Sequence, residues 1–344
     1  MRVLKYIFLL LLLIIIAGSI YIATLEKTYD VKRTRVIKAP IEVVYNNVND
    51  FKNWQSWSPW LSKDSLAVLT FGEITSGEGA SQSWKSEVKE VGVGAINTIN
   101  AKQNETINQK LVLTKPWEST SDIYWSFKPV DNGTEVIWGM KGELGFMSRV
   151  FMVFSGGMDK QVGLDYERGL FKLDSVVQVE MQKYSVTVNG ETTHGGGFYL
   201  YNTTSCKIDE LPVKMQEMMP KVRAYAQKNK IQMAGAPFTI YHTFDEDNNA
   251  VMFSSAVPVA ERVITESGSG ILTGQLKPFK AIKTTLKGDY KNLKEAWETA
   301  NEYLVANKFE QVQGAVALEV YVNDPKQTPN PANLVTEIFI PIKE

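Results

Sequence analysis

The stretch Val36–Trp60, VIKAPIEVVYNNVNDFKNWQSWSPW, decides the fold of the first half of the chain. Residues 28–40 read as a strand ending at Ala39-Pro40, and Pro40 suits the first position of a helix, where its missing N–H would lack a partner anyway. Ile41, Val44, Tyr45 and Val48 then recur at helical spacing and define one buried stripe. Trp54, Trp57 and Trp60 follow as an aromatic cluster that Pro59 keeps out of regular helix. Downstream, from Leu66 to Met140, the chain alternates and turns as an antiparallel sheet does. Leu111-Val112-Leu113, Ile123–Phe127 and Val136-Ile137-Trp138 are strand-like, and Asp131-Asn132-Gly133 is a hairpin turn. After Gly156-Gly157 a long helical pattern places Val162, Tyr166, Gly169, Leu173, Val176 and Val177 on one side. The order is strand, helix, sheet, long helix.

Upstream lies an apolar run from Tyr6 to Leu25, uncharged apart from its flanks Arg2 and Lys5 and then Lys27, Lys32, Arg33 and Arg35. At 1.5 Å per residue it is long enough as a helix to cross the roughly 30 Å core of a bilayer. The small residues Ala17, Gly18 and Ser19 also allow a cleaved signal, but the run continues through Ile20–Ala23, beyond a usual signal core. An uncleaved single-pass anchor is the expectation, with residues 1–27 as the anchor. Arg2 and Lys5 favour a soluble part outside the cytoplasm, while Lys27, Lys32, Arg33 and Arg35 on the other side of the run oppose it.

Composition narrows the function. Lys and Arg number 37 against 38 Asp and Glu, so no long-range positive field attracts nucleic acid, which is not expected as a partner. The single cysteine, Cys206, leaves no intramolecular disulfide, and the two histidines, His194 and His242, lie in no metal-ligand spacing. Neither metal nor cofactor is expected. Catalytic signatures are missing too: no nucleophile elbow and no phosphate loop occur, and Gly92/Gly94 lack the third glycine of a dinucleotide fingerprint. The Asn-x-Ser/Thr triplets at Asn104, Asn132 and Asn202 are read as chance. The chain is long enough for two cores.

From residue 181 a new pattern runs twice. Strands 184–188 and 197–203, helix 212–228 and strands 237–244 and 250–257 are echoed by strands 270–275 and 279–286, helix 289–306 and strands 315–322 and 334–341. Such a duplication builds a pseudo-symmetric sheet with helices on one face, and the open face is read as a groove. In Val316–Val322 the period of two sets Val316, Leu318, Val320 and Val322 on one side, expected beneath the helices. Ala317, Glu319 and Tyr321 then fall on the groove side.

Two resemblances follow from these segments. VIKAPIEVVYNNVNDFKNWQSWSPW with the later MDKQVGLDYERGLFKLDSV (158–176) resembles the START-like helix-grip superfamily, also called SRPBCC or polyketide cyclase-like, over residues 28–180. That resemblance implies a long helix laid across a curved sheet, with an apolar tunnel between them and no shared catalytic set. GAPFTIYHTFDED (235–247), SSAVPV (254–259), LKGDYKNLKEAWE (286–298), ALEVYVNDP (317–325) and TEIFIPI (336–342) resemble the GyrI-like domain, the effector-binding part of AraC- and MerR-type regulators, over residues 181–344. The chain departs from it at Lys287, where many members carry histidine. A START-like domain and an anchor also stand where those regulators have a helix-turn-helix module.

Candidate site residues come from both halves. The GyrI-like resemblance implies that Glu319 meets cationic aromatic ligands, and in some members the matching residue is a catalytic acid or base. A solvated or ion-paired carboxylate is the other reading. Tyr241 and Tyr290 fall on groove positions of that family, and Tyr321 neighbours Glu319 on its face. Their phenol edges can donate hydrogen bonds and their faces stack on a flat cation. Trp297 shares helical spacing with Leu293, Ala296, Ala300 and Leu304, which suits core packing as well as a groove wall. In the first half Trp57, Trp125 and Trp138 are expected to line the tunnel, with Trp60 and Trp84 as further candidates. Phe146–Phe154 reads as a lid, a bilayer-touching patch or an ordinary short helix.

The expectation is therefore an α+β protein with an N-terminal transmembrane helix, a helix-grip domain and a duplicated two-layer domain. Its function is non-enzymatic binding of a small hydrophobic or cationic aromatic ligand beside a membrane, with room for an unidentified protein partner. The alternative is a GyrI-like hydrolase of small electrophilic or amphipathic compounds, with Glu319 activating water.

Overall fold

A computed structural model describes residues 2–343, which separate into two compact units, one ending at Glu180 and the other beginning at Met181. The first unit opens with helix α1 (Arg2–Thr24), whose apolar window is wholly unburied and has a mean hydropathy of 2.7. Among the described residues it is the one helix long and apolar enough to cross a membrane. A seven-stranded antiparallel sheet follows, ordered β1-β7-β6-β5-β4-β3-β2. Its strands are β1 (Thr28–Ile37), β2 (Val68–Phe71), β3 (Ser81–Lys85), β4 (Val93–Lys102), β5 (Thr106–Lys115), β6 (Ser119–Val130) and β7 (Gly133–Glu143). Pairing of β1 with β7 brings the first strand against the last, from Thr28 opposite Glu143 to Ile37 opposite Thr134.

Between β1 and β2 lie α2 (Ile41–Asn49) and the short α3 (Trp54–Trp57). Pro40 occupies the cap position of α2, one residue before its expected place, and its carbonyl accepts from Val44 N. After β7 come α4 (Phe146–Ser155) and the long α5 (Gly157–Met181). The buried side of α5 carries Tyr166, Gly169, Leu173 and Val177, all from the expected stripe, together with Leu170. Gly169 is required there because a Cβ would stand 2.6 Å from Trp138 Cζ3 and 3.1 Å from Pro59 Cδ. The missing side chain lets α5 seat directly on the tryptophan.

The second unit has one eight-stranded antiparallel sheet, ordered β12-β9-β11-β10-β14-β15-β13-β8. The strands are β8 (Ser185–His194), β9 (Gly197–Cys206), β10 (Phe238–Asp245), β11 (Ala250–Val259), β12 (Leu272–Leu276), β13 (Phe279–Lys287), β14 (Ala317–Tyr321) and β15 (Val335–Pro341). Helix α6 (Leu211–Lys228) packs on β9 and β11, and α7 (Leu293–Ala306) on β8, β13 and β15. Only Lys277 and Pro278 separate β12 from β13, the first and seventh strands in the sheet. Those residues span about 10 Å at most, whereas six intervals of a flat sheet measure roughly 29 Å. The sheet is therefore curled.

Curling buries both faces. On the helix side, Val222 and Ala226 of α6 close over Leu200 and Val257, and Ala296, Ala300 and Leu304 of α7 close over Ile282, Leu286, Ile338 and Ile340. On the inner side, Phe238, Ile240, Ala256, Ala281, Leu318 and Phe339 form a second cluster made of strands alone. This corrects the facing expected for β14. Leu318 belongs to the helix-free cluster, with Val316 and Val320 packed against it, while Val322 is 47% exposed. Glu319 consequently points toward the helices.

Candidate functional site

In the first unit the three tryptophans expected to line a tunnel are core. Trp57, Trp125 and Trp138 are each 1% exposed. Trp138 lies stacked between Trp125, with ring centroids 4.4 Å apart, and Tyr166, at 3.9 Å. Trp57 meets both Trp125 and Trp138 edge-on at 5.9 and 5.8 Å, and Trp54 and Trp60 complete the stack. Rings at such separations fill the volume between them. At these positions the rings pack against one another, stacked at Trp125, Trp138 and Tyr166 and edge-on at Trp57. Trp84 lies at the sheet margin and donates to the Val91 carbonyl.

The second unit gathers its predicted residues. Helices α6 and α7 pack over the flanking strands, so the central pair β10 and β14 forms the floor between them. Glu319, 1% exposed, stands on that floor. Its Oε1 accepts from Tyr321 Oη at 2.6 Å, and its Oε2 from Trp297 Nε1 at 2.9 Å and Tyr241 Oη at 3.3 Å. Tyr241 meets the Trp297 ring edge-on at 5.5 Å, and Tyr290 meets Tyr321 in the same way at 5.6 Å. All five second-half candidates therefore share one cluster. Trp297 combines both readings, since it also packs against the core beneath α7.

The carboxylate is held by neutral donors. Burial pushes the Glu319 carboxyl above its ordinary value, and the bonds from Tyr321, Trp297 and Tyr241 pull it only part of the way back. Among the described residues, no lysine, arginine or histidine is an ion-pair partner of Glu319 or a cause of its shift. Arg223 of α6, whose charge acts on Tyr290, is committed to Asp324 at 2.5 Å. Burial also raises the phenols, and Tyr290 is pushed up to about 12 by burial together with the charges of Asp324 and Glu319. They stay protonated as donors.

The repeat explains why these side chains meet. Aligning the halves through Leu200 with Ile282 and Val257 with Ile340, each beneath its helix, the strand registers place Thr239 on Glu319 and Tyr241 on Tyr321. Thr239 and Glu319 are direct cross-strand partners at the centre of the sheet. The Tyr241–Glu319 bond accordingly has its counterpart between Tyr321 and Thr239, 3.0 Å apart, where Thr239 Oγ1 donates because the single Tyr321 proton goes to Glu319. The acid stands where the other half has a threonine.

Thr239 went unnoticed in the sequence although the repeat alignment points to it. A largely polar row across the helix side also went unnoticed: Asn202, Ser255, Thr239, Glu319 and Thr284 are successive cross-strand neighbours, interrupted by Ile338 between the last two. Asn202 Oδ1, Ser255 Oγ and Thr284 Oγ1 in this row are buried without a hydrogen-bond partner. Unsatisfied buried groups cost about 1–3 kcal/mol each, and these three lie on β9, β11 and β13, the strands flanking the floor.

Comparison with known proteins follows the same division. Residues 28–178 match the family described as polyketide cyclase/dehydrase and lipid transport, and residues 198–343 match the GyrI-like small molecule binding domain. Similar solved structures include the C-terminal domain of EcmrR, at 15% identity over 47% of this chain and 98% of that one, with a TM-score of 0.40. Protein CV1439 from Chromobacterium violaceum is 14% identical over 43% of this chain and 96% of its own, with a TM-score of 0.33. SAV2435 bound to tetraphenylphosphonium is 14% identical over 47% and 94%, also at 0.33. At such scores none of the three bears on what this chain does. No curated protein matches it.

Proposed function

We propose that this chain, in which a polyketide cyclase and lipid transport domain precedes a GyrI-like domain, is a membrane-tethered binding protein for a lipophilic aromatic cation. In this reading residues 1–27 anchor it, residues 28–180 form the START-like domain, and residues 181–344 carry the binding site. The observation that supports it is the buried Glu319 carboxylate, which has three neutral donors and no cationic partner. A charge removed from water without an opposite charge is costly, so the site gains most from a ligand that brings one. The cation would lie over the half-buried rings of Tyr241, Tyr290, Tyr321 and Trp297, held by their π-faces and by the carboxylate beneath them. Hydrocarbon around the charge would replace the water lost on entry.

Titration of the detergent-solubilised full chain with tetraphenylphosphonium, followed by tryptophan fluorescence, is expected to saturate. Mass spectrometry of the ligand after prolonged incubation should return it unchanged. Absence of saturable binding would end the reading, and hydrolysis of an ester-bearing lipophilic cation incubated in parallel would replace it with the hydrolase alternative. For topology, alkaline phosphatase fused to the C-terminus should be active, because Arg2 and Lys5 precede the span. An inactive enzyme beside a bright C-terminal fluorescent-protein fusion would place the soluble units in the cytoplasm instead.

A further inference from the structure

Helix α4 carries apolar side chains where a water-soluble domain would not. Met147, Phe151 and Phe154 fall on one stripe, four and three residues apart, and are 74%, 51% and 84% exposed. Trp117, at the β5–β6 turn, is 67% exposed with its ring 6.4 Å from that of Phe151, and so extends the patch. The only charged residue of α4, Arg149, is turned away from this stripe and buried.

Arg149 ties α4 to the end of α1. Its Nη1 donates to the carbonyls of Ile22 at 2.9 Å, Ala23 at 3.3 Å and Leu25 at 3.1 Å. The last carbonyls of a helix have no partners within it, and a cation at that end also meets the negative pole of the helix. A second tie comes from the backbone. Leu144 N donates to the Lys27 carbonyl at 2.7 Å, just beyond the pairing of Thr28 with Glu143. The first turn of α4 is thus fixed at the point where α1 stops. Helix α1 has 23 residues, about 34 Å at 1.5 Å per residue, which matches a hydrocarbon core of roughly 30 Å. Tyr6 and Tyr21, near its two ends, have the positions of interfacial aromatics.

We propose that α4 lies in the headgroup–acyl boundary of the bilayer that α1 crosses, with Met147, Phe151, Phe154 and Trp117 immersed and Arg149 locking this second contact to the span. The inference rests on α1 being a span, as proposed above. What covers the exposed stripe is then lipid, because the chain itself pins α4 beside the point where α1 leaves the hydrocarbon. Aromatic and aliphatic side chains at that depth gain burial without having to cross the membrane.

The test uses the full chain with Cys206→Ser, reconstituted at low density into phosphatidylcholine–phosphatidylglycerol vesicles. Nitroxide labels are placed singly at Met147→Cys, Ser148→Cys, Phe151→Cys, Phe154→Cys, Leu12→Cys and Val305→Cys. Collision of each label with oxygen, which partitions into lipid, is compared with collision with a water-soluble nickel chelate. Oxygen should dominate at 147, 151 and 154, less strongly than at 12, and the chelate should dominate at 305. Position 148 should be more chelate-accessible than its neighbours, giving helical periodicity. If 147, 151 and 154 resemble 305 while 12 remains lipid-exposed, the inference fails and the span stands. If 12 is itself chelate-accessible, the span reading has failed and the inference falls with it. Labels on α4 shielded from both reagents and broadened by spin–spin coupling would mean that a second copy covers the stripe, which also overturns the proposal.

Discussion

Glu319→Gln is expected to weaken binding of tetraphenylphosphonium by about ten- to a hundred-fold while leaving the second unit folded. Loss of a charge-assisted contact is typically worth about 1.5–3 kcal/mol, and each 1.4 kcal/mol is a factor of ten. The fold should tolerate the exchange because the local hydrogen bonds can be rewired. The glutamine carbonyl can keep the Oε2 role and accept from Trp297 and Tyr241. Its amide can donate to Tyr321 Oη, which in turn donates to Thr239 Oγ1, 3.0 Å away. The second amide hydrogen and the displaced Thr239 hydroxyl cost part of what is gained by removing a buried charge that has no counter-charge. Unfolding of the second unit by Glu319→Gln, with affinity unchanged, would make the carboxylate structural and the cation reading wrong.

The same carboxylate gives the site a pH dependence of known sign. Burial holds Glu319 above the ordinary value of 4.5, so cation affinity should fall as pH is lowered through that raised value and should begin to fall before pH 4.5 is reached. In the unliganded protein the linkage runs the other way. A raised folded-state pKa means that the native state holds this proton more tightly than the unfolded chain. Its contribution to stability is complete below 4.5 and is lost as pH rises through the raised value. A bound cation offsets that loss. Ligand-induced thermal stabilisation should therefore grow from acid toward neutral pH in the native chain and stay flat in Glu319→Gln.

What could be read from the sequence, and what could not, divides along physical lines. The stripe Ile41, Val44, Tyr45, Val48 and the strand–helix repeat after residue 181 were legible because each element writes its own period into the chain. Alternation in Val316–Val322 likewise separated Leu318 from Glu319 correctly. It could not say which side the helices cover, and the rule that apolar side chains face helices failed because the curled sheet buries Leu318 against other strands. Long-range curvature comes from Lys277-Pro278 linking distant strands, a constraint invisible in any local window. The Glu319 cluster was found through family resemblance. The repeat alone would have pointed to Thr239 and Tyr241 as its mirror positions.

Tryptophan content is ambiguous for a related reason, since a ring that lines a cavity and a ring that fills one have the same sequence signature. The difference is measurable at Trp138. Truncating this residue to alanine removes a ring stacked 4.4 Å from Trp125 and 3.9 Å from Tyr166, at a site that α5 closes through Gly169. A buried tryptophan lost from a filled core costs about 3–5 kcal/mol, part of it from aromatic pairs worth about 0.5–1.5 kcal/mol each. Some relief comes from Trp138 Nε1, which is buried without a partner. The loss should appear as faster hydrogen exchange at the amides of α5 residues 163–177 in the full chain. That readout reports the first unit alone, whereas global unfolding of a two-unit chain is not a single transition. A loss near 3 kcal/mol or more supports a packed interior. A loss below about 1 kcal/mol would mean that the ring borders open space, and would restore the tunnel in the first unit that its stacked tryptophans now argue against.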